Sequence, residues 1–253
     1  MPHPTLDPAP VEPAGPRAAA HPLDNPAWAA LSGPHAALAR TLPHPDGHPP
    51  RAAHYPSDIA HFAALADPED PESWAELARL RGPDAEVVLA GRFTPPPHWT
   101  PLMEIPGVQL VAEHVDERPD PEAVELGPED VPEILDLIAR TRPGPFLPRT
   151  VTLGGYLGLR AHGPTGPLIA MAGRRLHLPG HTEISAVCTD PDHRGRGLAG
   201  RLVRAVAAGI RAEGRTPFLH TGAANAPAIR LYENLGFTLR HRPNFLGLRT
   251  PAA

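Results

Sequence analysis

One stretch constrains this chain more than any other: Glu183-Ile-Ser-Ala-Val-Cys-Thr-Asp-Pro-Asp-His-Arg-Gly-Arg-Gly-Leu-Ala-Gly200. Its apolar opening predicts a strand over Thr182–Thr189. The turn at 190–197 then leads into a long helix, Leu198–Glu213. The helix stripe is Leu198, Leu202, Val206 and Ile210, with Val203 beside it, and Gly214 ends it. At such a joint the first-turn N–H groups have no intrahelical partner, and the helix dipole favours an anion. Glycines let a phosphate approach the backbone closely. Arg194 and Arg196 add positive charge. A phosphate-bearing ligand on Arg194, Gly195, Arg196, Gly197, Leu198, Ala199 and Gly200 follows.

Gly195-Arg-Gly-Leu-Ala-Gly200 also satisfies the dinucleotide pattern GxGxxG. Its context argues against that ligand. Asp190-Pro-Asp-His-Arg194 separates the strand from the glycines, and Leu219-His220-Thr221 offers no acid at the end of the next strand. The chain left after Gly200 is also too short for the remaining strands of such a domain.

Arg194-Gly-Arg-Gly-Leu-Ala199 matches the R/Q-x-x-G-x-G/A loop of the GNAT superfamily of acetyl-CoA-dependent N-acetyltransferases. Downstream, Asn225-Ala-Pro-Ala-Ile-Arg-Leu-Tyr-Glu-Asn-Leu-Gly-Phe237 resembles the family's second signature, N-x-x-A-x-x-x-Y-x-x-x-G-F. The resemblance covers residues 120–248. It implies a mixed α/β (α+β) sheet of the GNAT-like acyl-CoA N-acyltransferase fold, an enzyme, and acetyl-CoA as cosubstrate. It implies direct transfer of the acetyl group to the primary amine of a small-molecule or peptide acceptor. In the family the loop amides hold the coenzyme pyrophosphate. The residues equivalent to Val187, Cys188 and Thr189 present backbone groups to the pantetheine arm, and those backbone amides are expected to polarise the thioester carbonyl. The alternative from another class is a non-catalytic acyl-CoA-binding sensor or regulatory module.

The resemblance also suggests roles at the reacting centre. Tyr232 is the candidate general acid: an ordinary phenol, pKa about 10, stays protonated at pH 7 and can donate to a leaving thiolate. Asn225, Ala228 and Tyr232 fall on one helical face. Asn225 is expected to touch the coenzyme and equally suits a helix N-cap. Glu183 is the candidate base by analogy with the histone-type branch, with a structural arginine pair as its other reading; His220 is the competitor. Cys188 reads as a small buried residue rather than an acyl carrier. Thr141-Arg-Pro-Gly-Pro-Phe-Leu-Pro-Arg149 lies where an acceptor loop is expected, with Phe146 and its arginines as pocket candidates.

The rest of the chain is read from pattern alone. The second part runs strand Ala123–Leu126, a helix with the face Val131, Ile134, Leu135 and Ile138, then strands Gly155–Arg160 and Leu168–Leu176. After the long helix come strand Thr216–Thr221, helix Ala226–Leu235 and a final strand or pair from Phe237. Upstream, helices are expected from Asn25, over Ile59–Leu65 and over Glu72–Leu80, with 43–56 a loop. Strands are expected at Glu86–Ala90 and Val108–Ala112.

Residues 1–22 are Pro/Ala/His-rich without apolar period and read as a disordered arm. Residues 23–115 read as a smaller N-terminal α/β domain, similar to the diverged first half of bacterial two-part GNAT members. Residues 120–253 read as the N-acetyltransferase domain. Residues 1–119 hold 23 of the 37 prolines and a net charge of −9, against +4 for the remainder, where an anionic coenzyme would bind.

The single cysteine excludes an intrachain disulfide and a Cys₄ zinc site. His44 and His48 lie in a Pro/Gly loop, so no metal is expected. No window is apolar enough for a membrane helix, and Met1–Pro13 lacks secretory-signal character; a cytoplasmic protein is expected. All 23 basic residues are arginine, which points to GC-rich, bacterial coding. The charge is too weak and unclustered to suggest nucleic acid as a partner. A monomer or homodimer is expected.

Overall fold

The computed structural model describes residues 21–252. The expected N-terminal arm, but for His21 and Pro22, lies outside them. In chain order the described elements are α1 (Pro26–Leu31), β1 (Ala52–His54), β2 (Ala63–Leu65), α2 (Pro71–Arg81), β3 (Glu86–Gly91) and β4 (Thr100–Ala112). They continue with β5 (Val124–Leu126), α3 (Val131–Thr141), β6 (Tyr156–Arg160), β7 (Leu168–Leu178) and β8 (His181–Thr189). The last are α4 (Leu198–Ala212), β9 (Thr216–Gly222), α5 (Ala226–Asn234), β10 (Phe237–His241) and β11 (Asn244–Arg249).

Nine strands form one sheet in the order β3-β11-β4-β9-β8-β7-β6-β5, with β10 also paired to β4; β1 and β2 form a separate pair. The expected mixed α/β sheet is therefore present. Every pairing is antiparallel except β8 with β9.

That parallel pair builds the opening on which the site depends. Its register runs from His181↔Thr216 to Ile184↔Leu219 and stops, although both strands continue. The cause lies in β8. Gly173 faces Ser185 and Met171 faces Cys188, so β8 carries one extra residue against β7. Ala186, inside this bulge, has φ of 54°. A bulge bends its strand and increases the local twist, which turns the end of β8 away from β9. Meanwhile β9 is held on its other side by β4, from Gly107↔Gly222 to Val111↔Phe218.

The position of β4 differs from expectation. It starts eight residues before the expected Val108, running through Pro101 and Pro106. Proline is tolerated where no ladder donor is needed. The Pro106 carbonyl accepts from Ala223 N–H at 2.7 Å, just where β9 ends, and Gly107 N–H donates to Pro243 O at 2.8 Å. β4 thus sits between β9 on one side and β10 and β11 on the other. The expected boundary between 23–115 and 120–253 consequently cuts through one sheet, not between two.

Two upstream expectations are also corrected. Ile59–Leu65 is no helix; its end is β2, paired with β1 from inside the expected 43–56 loop. Apolar runs this short carry no decisive period, and the pairing partner decides.

The core has two sides. On one, Leu202, Val203, Val206 and Ile210 of α4 pack with Tyr232, Ile184, Leu219 and Leu110. On the other, Leu23, Ala27 and Leu31 cover Leu176, Leu178, Phe218 and Val111. Neighbouring residues Leu219 and Phe218 fall on opposite sides, as strand alternation requires.

Candidate active site

A cleft of about 500 Å³ opens where β8 parts from β9. Val187, Cys188 and Thr189 of β8, the loop and first helical turn from His193 to Gly200, and Asn225, Pro227, Ala228, Leu231 and Tyr232 of α5 line it. Thr141, Arg142 and Pro143, at the end of α3, form the facing wall.

The loop has the geometry its glycines suggest. Gly195 and Gly197 adopt φ of 75° and 74°, the left-handed region where side chains are strained. Gly197 is the N-cap of α4 and, lacking a side chain, makes no cap hydrogen bond. The first-turn N–H groups of Leu198, Ala199 and Gly200 therefore keep their donors for a ligand. Arg194 and Arg196 are exposed. Arg196 Nη1 lies 2.8 Å from His193 Nδ1, and Arg194 reaches back to the Thr189 carbonyl at 3.4 Å. The Thr189 hydroxyl is buried and has no protein partner. A ligand group entering beside β8 would satisfy it.

Asn225 caps α5: its Oδ1 accepts from Ala228 N–H at 3.3 Å, while Nδ2 points to Thr221 Oγ1 at 3.3 Å. Two turns on, Tyr232 faces the same cleft with only 6% exposure. Burial, with the neighbouring Cys188 sulfur, pushes its phenol up to about 12, so it carries its proton throughout the neutral range. Burial likewise raises the Cys188 thiol, against the opposing influence of Thr141 and two arginines. A neutral, buried thiol is a poor nucleophile.

Glu183 requires a correction. It does not line the cleft but lies fully buried, in a bidentate pair with Arg175. Arg175 Nε and Nη2 each donate to it at 2.7 Å, and His220 Nδ1 lies 2.7 Å from Oε1. Burial alone would raise its pKa, but Arg175 and His220 outweigh it and hold the carboxyl at about 2. So acidic a carboxylate, with its oxygens engaged, does not accept an amine proton in the neutral range. His220 is no better placed, because Gln109 Nε2 lies 3.1 Å from its other ring nitrogen. The network continues from Gln109 to Arg240 and from Arg240 to Asp24, tying the first described turn of the chain to the sheet. Arg175 also lies over the Phe62 ring, 4.9 Å from its centroid. Glu183 is thus the counter-ion of a buried structural arginine.

The expected acceptor loop is divided. Thr141 and Arg142 reach the cleft, Arg142 with φ of 49° as the C-cap of α3. Phe146 instead packs inside, edge-on to Tyr156 at 5.3 Å, and Arg149 pairs with Asp58. Phe146 is an apolar residue with a core place to fill, which its sequence neighbours do not reveal. Sequence reasoning missed Leu231 and His193 as lining residues. His193 was legible as part of the loop, whereas Leu231 reads simply as a core position.

A model of the FR47-like protein family matches residues 156–246. An acetyltransferase of the GNAT family from Novosphingobium aromaticivorans is 38% identical, with a TM-score of 0.79, covering 92% of this chain and 100% of that one. The chain belongs to the GNAT acetyltransferase family. A GCN5-related N-acetyltransferase from Kribbella flavida, 19% identical, shares the fold at a TM-score of 0.59 over 90% of this chain and 95% of that one. Mycothiol acetyltransferase of Corynebacterium glutamicum is 44% identical over 64 residues, 25% of this chain and 22% of that protein. The chain therefore matches about a fifth of the length of that curated relative. No described helix of this GNAT protein is long and apolar enough to cross a membrane.

Proposed function

We propose that this enzyme transfers the acetyl group of acetyl-CoA to a primary amine by direct attack. The observation that carries this reading is the junction of three features in one cleft: a splayed β8/β9 pair, an uncapped helix N-terminus with two arginines, and a protonated tyrosine. The donor set suits the coenzyme. Free amides and cations from Arg194 to Gly200 fit a pyrophosphate, the orphaned Thr189 hydroxyl and the unpaired end of β8 fit an amide-rich arm, and Asn225 Nδ2 and the small Ala228 flank that path. When bound, acetyl-CoA supplies an activated acyl thioester.

The chain's residues then have separate tasks. Main-chain amides near Val187–Thr189 polarise the thioester carbonyl as the amine nitrogen bonds to it. Tyr232 gives its phenolic proton to the sulfur as the carbon–sulfur bond breaks, and recovers one from solvent. The proton lost by the amine leaves to water at the open cleft. Thr141, beside the Cys188 sulfur, and Arg142 line the same cleft as Tyr232, which supports a role for them in holding the acceptor. The enzyme acts in the cytoplasm, where the coenzyme is available.

Tyr232→Phe tests the assignment. Turnover, followed as thiol release over a panel of amines, should fall by about 10²–10⁴-fold, the range of a positioned proton donor. The calorimetric affinity for CoA should hold. Unchanged turnover removes Tyr232 from the mechanism, and absence of CoA binding by the wild type removes the reading.

A further inference from the structure

Helix α4 carries three arginines, and the chain provides counter-ions for two of them. Arg201 is clamped by Asp120, with Nε to Oδ2 at 2.6 Å, and by Glu122. Arg211 Nε pairs with Glu117 at 2.8 Å. Arg204 has no carboxylate and no hydrogen-bond partner among the described residues, and its Nε is buried and unsatisfied. An unpaired guanidinium in the positive half of a helix is electrostatically unfavourable unless an anion joins it.

Its location says which anion. Side chains on a helix lean towards its N-terminus. The Arg204 guanidinium therefore lies back over Gly200, in the first turn: Nη1 is 3.6 Å from where a Gly200 Cβ would stand. Gly200 itself lines the cleft. The same space is bordered by Leu231 of α5 and by Leu235, its C-cap, at 3.8 Å and 3.7 Å. The Arg204 guanidinium thus stands beside Gly200, which lines the cleft, and next to the apolar Leu231 and Leu235.

We propose that Arg204 is a phosphomonoester subsite that recognises the 3′-phosphate on the ribose of the coenzyme. This rests on the coenzyme reading above: the loop amides take the pyrophosphate, and Arg204 takes the phosphate that is separate from it. Gly200 keeps the space beside the guanidinium open, and Leu231 offers an apolar flank to the attached nucleoside. The subsite distinguishes CoA from its 3′-dephospho form.

The test is calorimetric titration of the full chain with CoA and with 3′-dephospho-CoA, for wild type and Arg204→Gln. Wild type should prefer CoA by about tenfold, the scale of one charge-assisted, part-exposed hydrogen-bonded pair. Arg204→Gln should bring the ratio close to one by weakening CoA alone. Its unchanged affinity for the dephospho form also shows that the variant is folded. Equal loss for both ligands, or an unchanged ratio, overturns the proposal. If wild type binds both forms equally, only this subsite falls; if it binds neither, the coenzyme reading falls with it.

Discussion

Glu183→Gln separates the two tasks that an acid on β8 could perform. The substitution preserves shape and removes the charge that holds Arg175. Two routes give its magnitude. The carboxyl is lowered from 4.5 to about 2 in the folded chain, which corresponds to about 3 kcal/mol of stability at neutral pH. Leaving one partner of a buried pair uncompensated costs on the order of 3–5 kcal/mol. At ~2–4 °C per kcal/mol for a chain of this size, the melting temperature should fall by ~6–20 °C. The pH dependence has a definite sign. Because the folded pKa lies below the unfolded one, the contribution is complete above pH 4.5 and disappears as pH falls towards about 2. Wild-type and variant melting temperatures should therefore converge across that interval. At pH 7, below the variant's melting temperature, turnover should stay within a few-fold of wild type. A variant that melts like wild type but loses 10²-fold or more in kcat/KM, the signature of a missing general base, refutes the structural reading of Glu183.

Two further outcomes are expected. Gly197→Ala forces an alanine to φ of 74°, at a cost of about 1–2 kcal/mol, and should weaken CoA binding in calorimetry more than it lowers the melting temperature. His35, hydrogen-bonded to Tyr55 and tilted against the His177 ring, is lowered to about 4 by burial and by the charges of His177 and Arg215. Since the unfolded histidine takes a proton first, wild type should lose stability as pH falls from 6.5 to about 4, and His35→Gln should flatten that slope in thermal melts.

What could be read in the sequence was local. The strand–loop–helix joint shows as a run of neighbours: β-branched residues, then glycines, then a stripe at helical spacing. The same holds for α5, where Asn225 and Tyr232 share a face by periodicity alone. Non-local pairing was not legible. Glu183 looks like a cleft acid until Arg175, on the adjoining strand, is seen opposite it. The two prolines of β4 look like breaks until Ala223 and Pro243 supply its hydrogen bonds. Phe146 looks like a pocket residue until Tyr156 meets it. The first two of these outcomes depend on register, and register is fixed by what the opposite strand buries.

The place of β4 has a consequence for how the chain comes to be folded. During synthesis this strand leaves the ribosome before every strand that will flank it. Gly107 waits for Gly222, and Ala112 waits for Phe237. Contacts so distant along the chain close late and slow folding. Until they close, β9 and β10 would each present a bare edge, the kind of surface that recruits other chains. A cut at residue 120 would therefore take from the half that carries the cleft the strand that β9, β10 and β11 all pair with, and leave their edges bare.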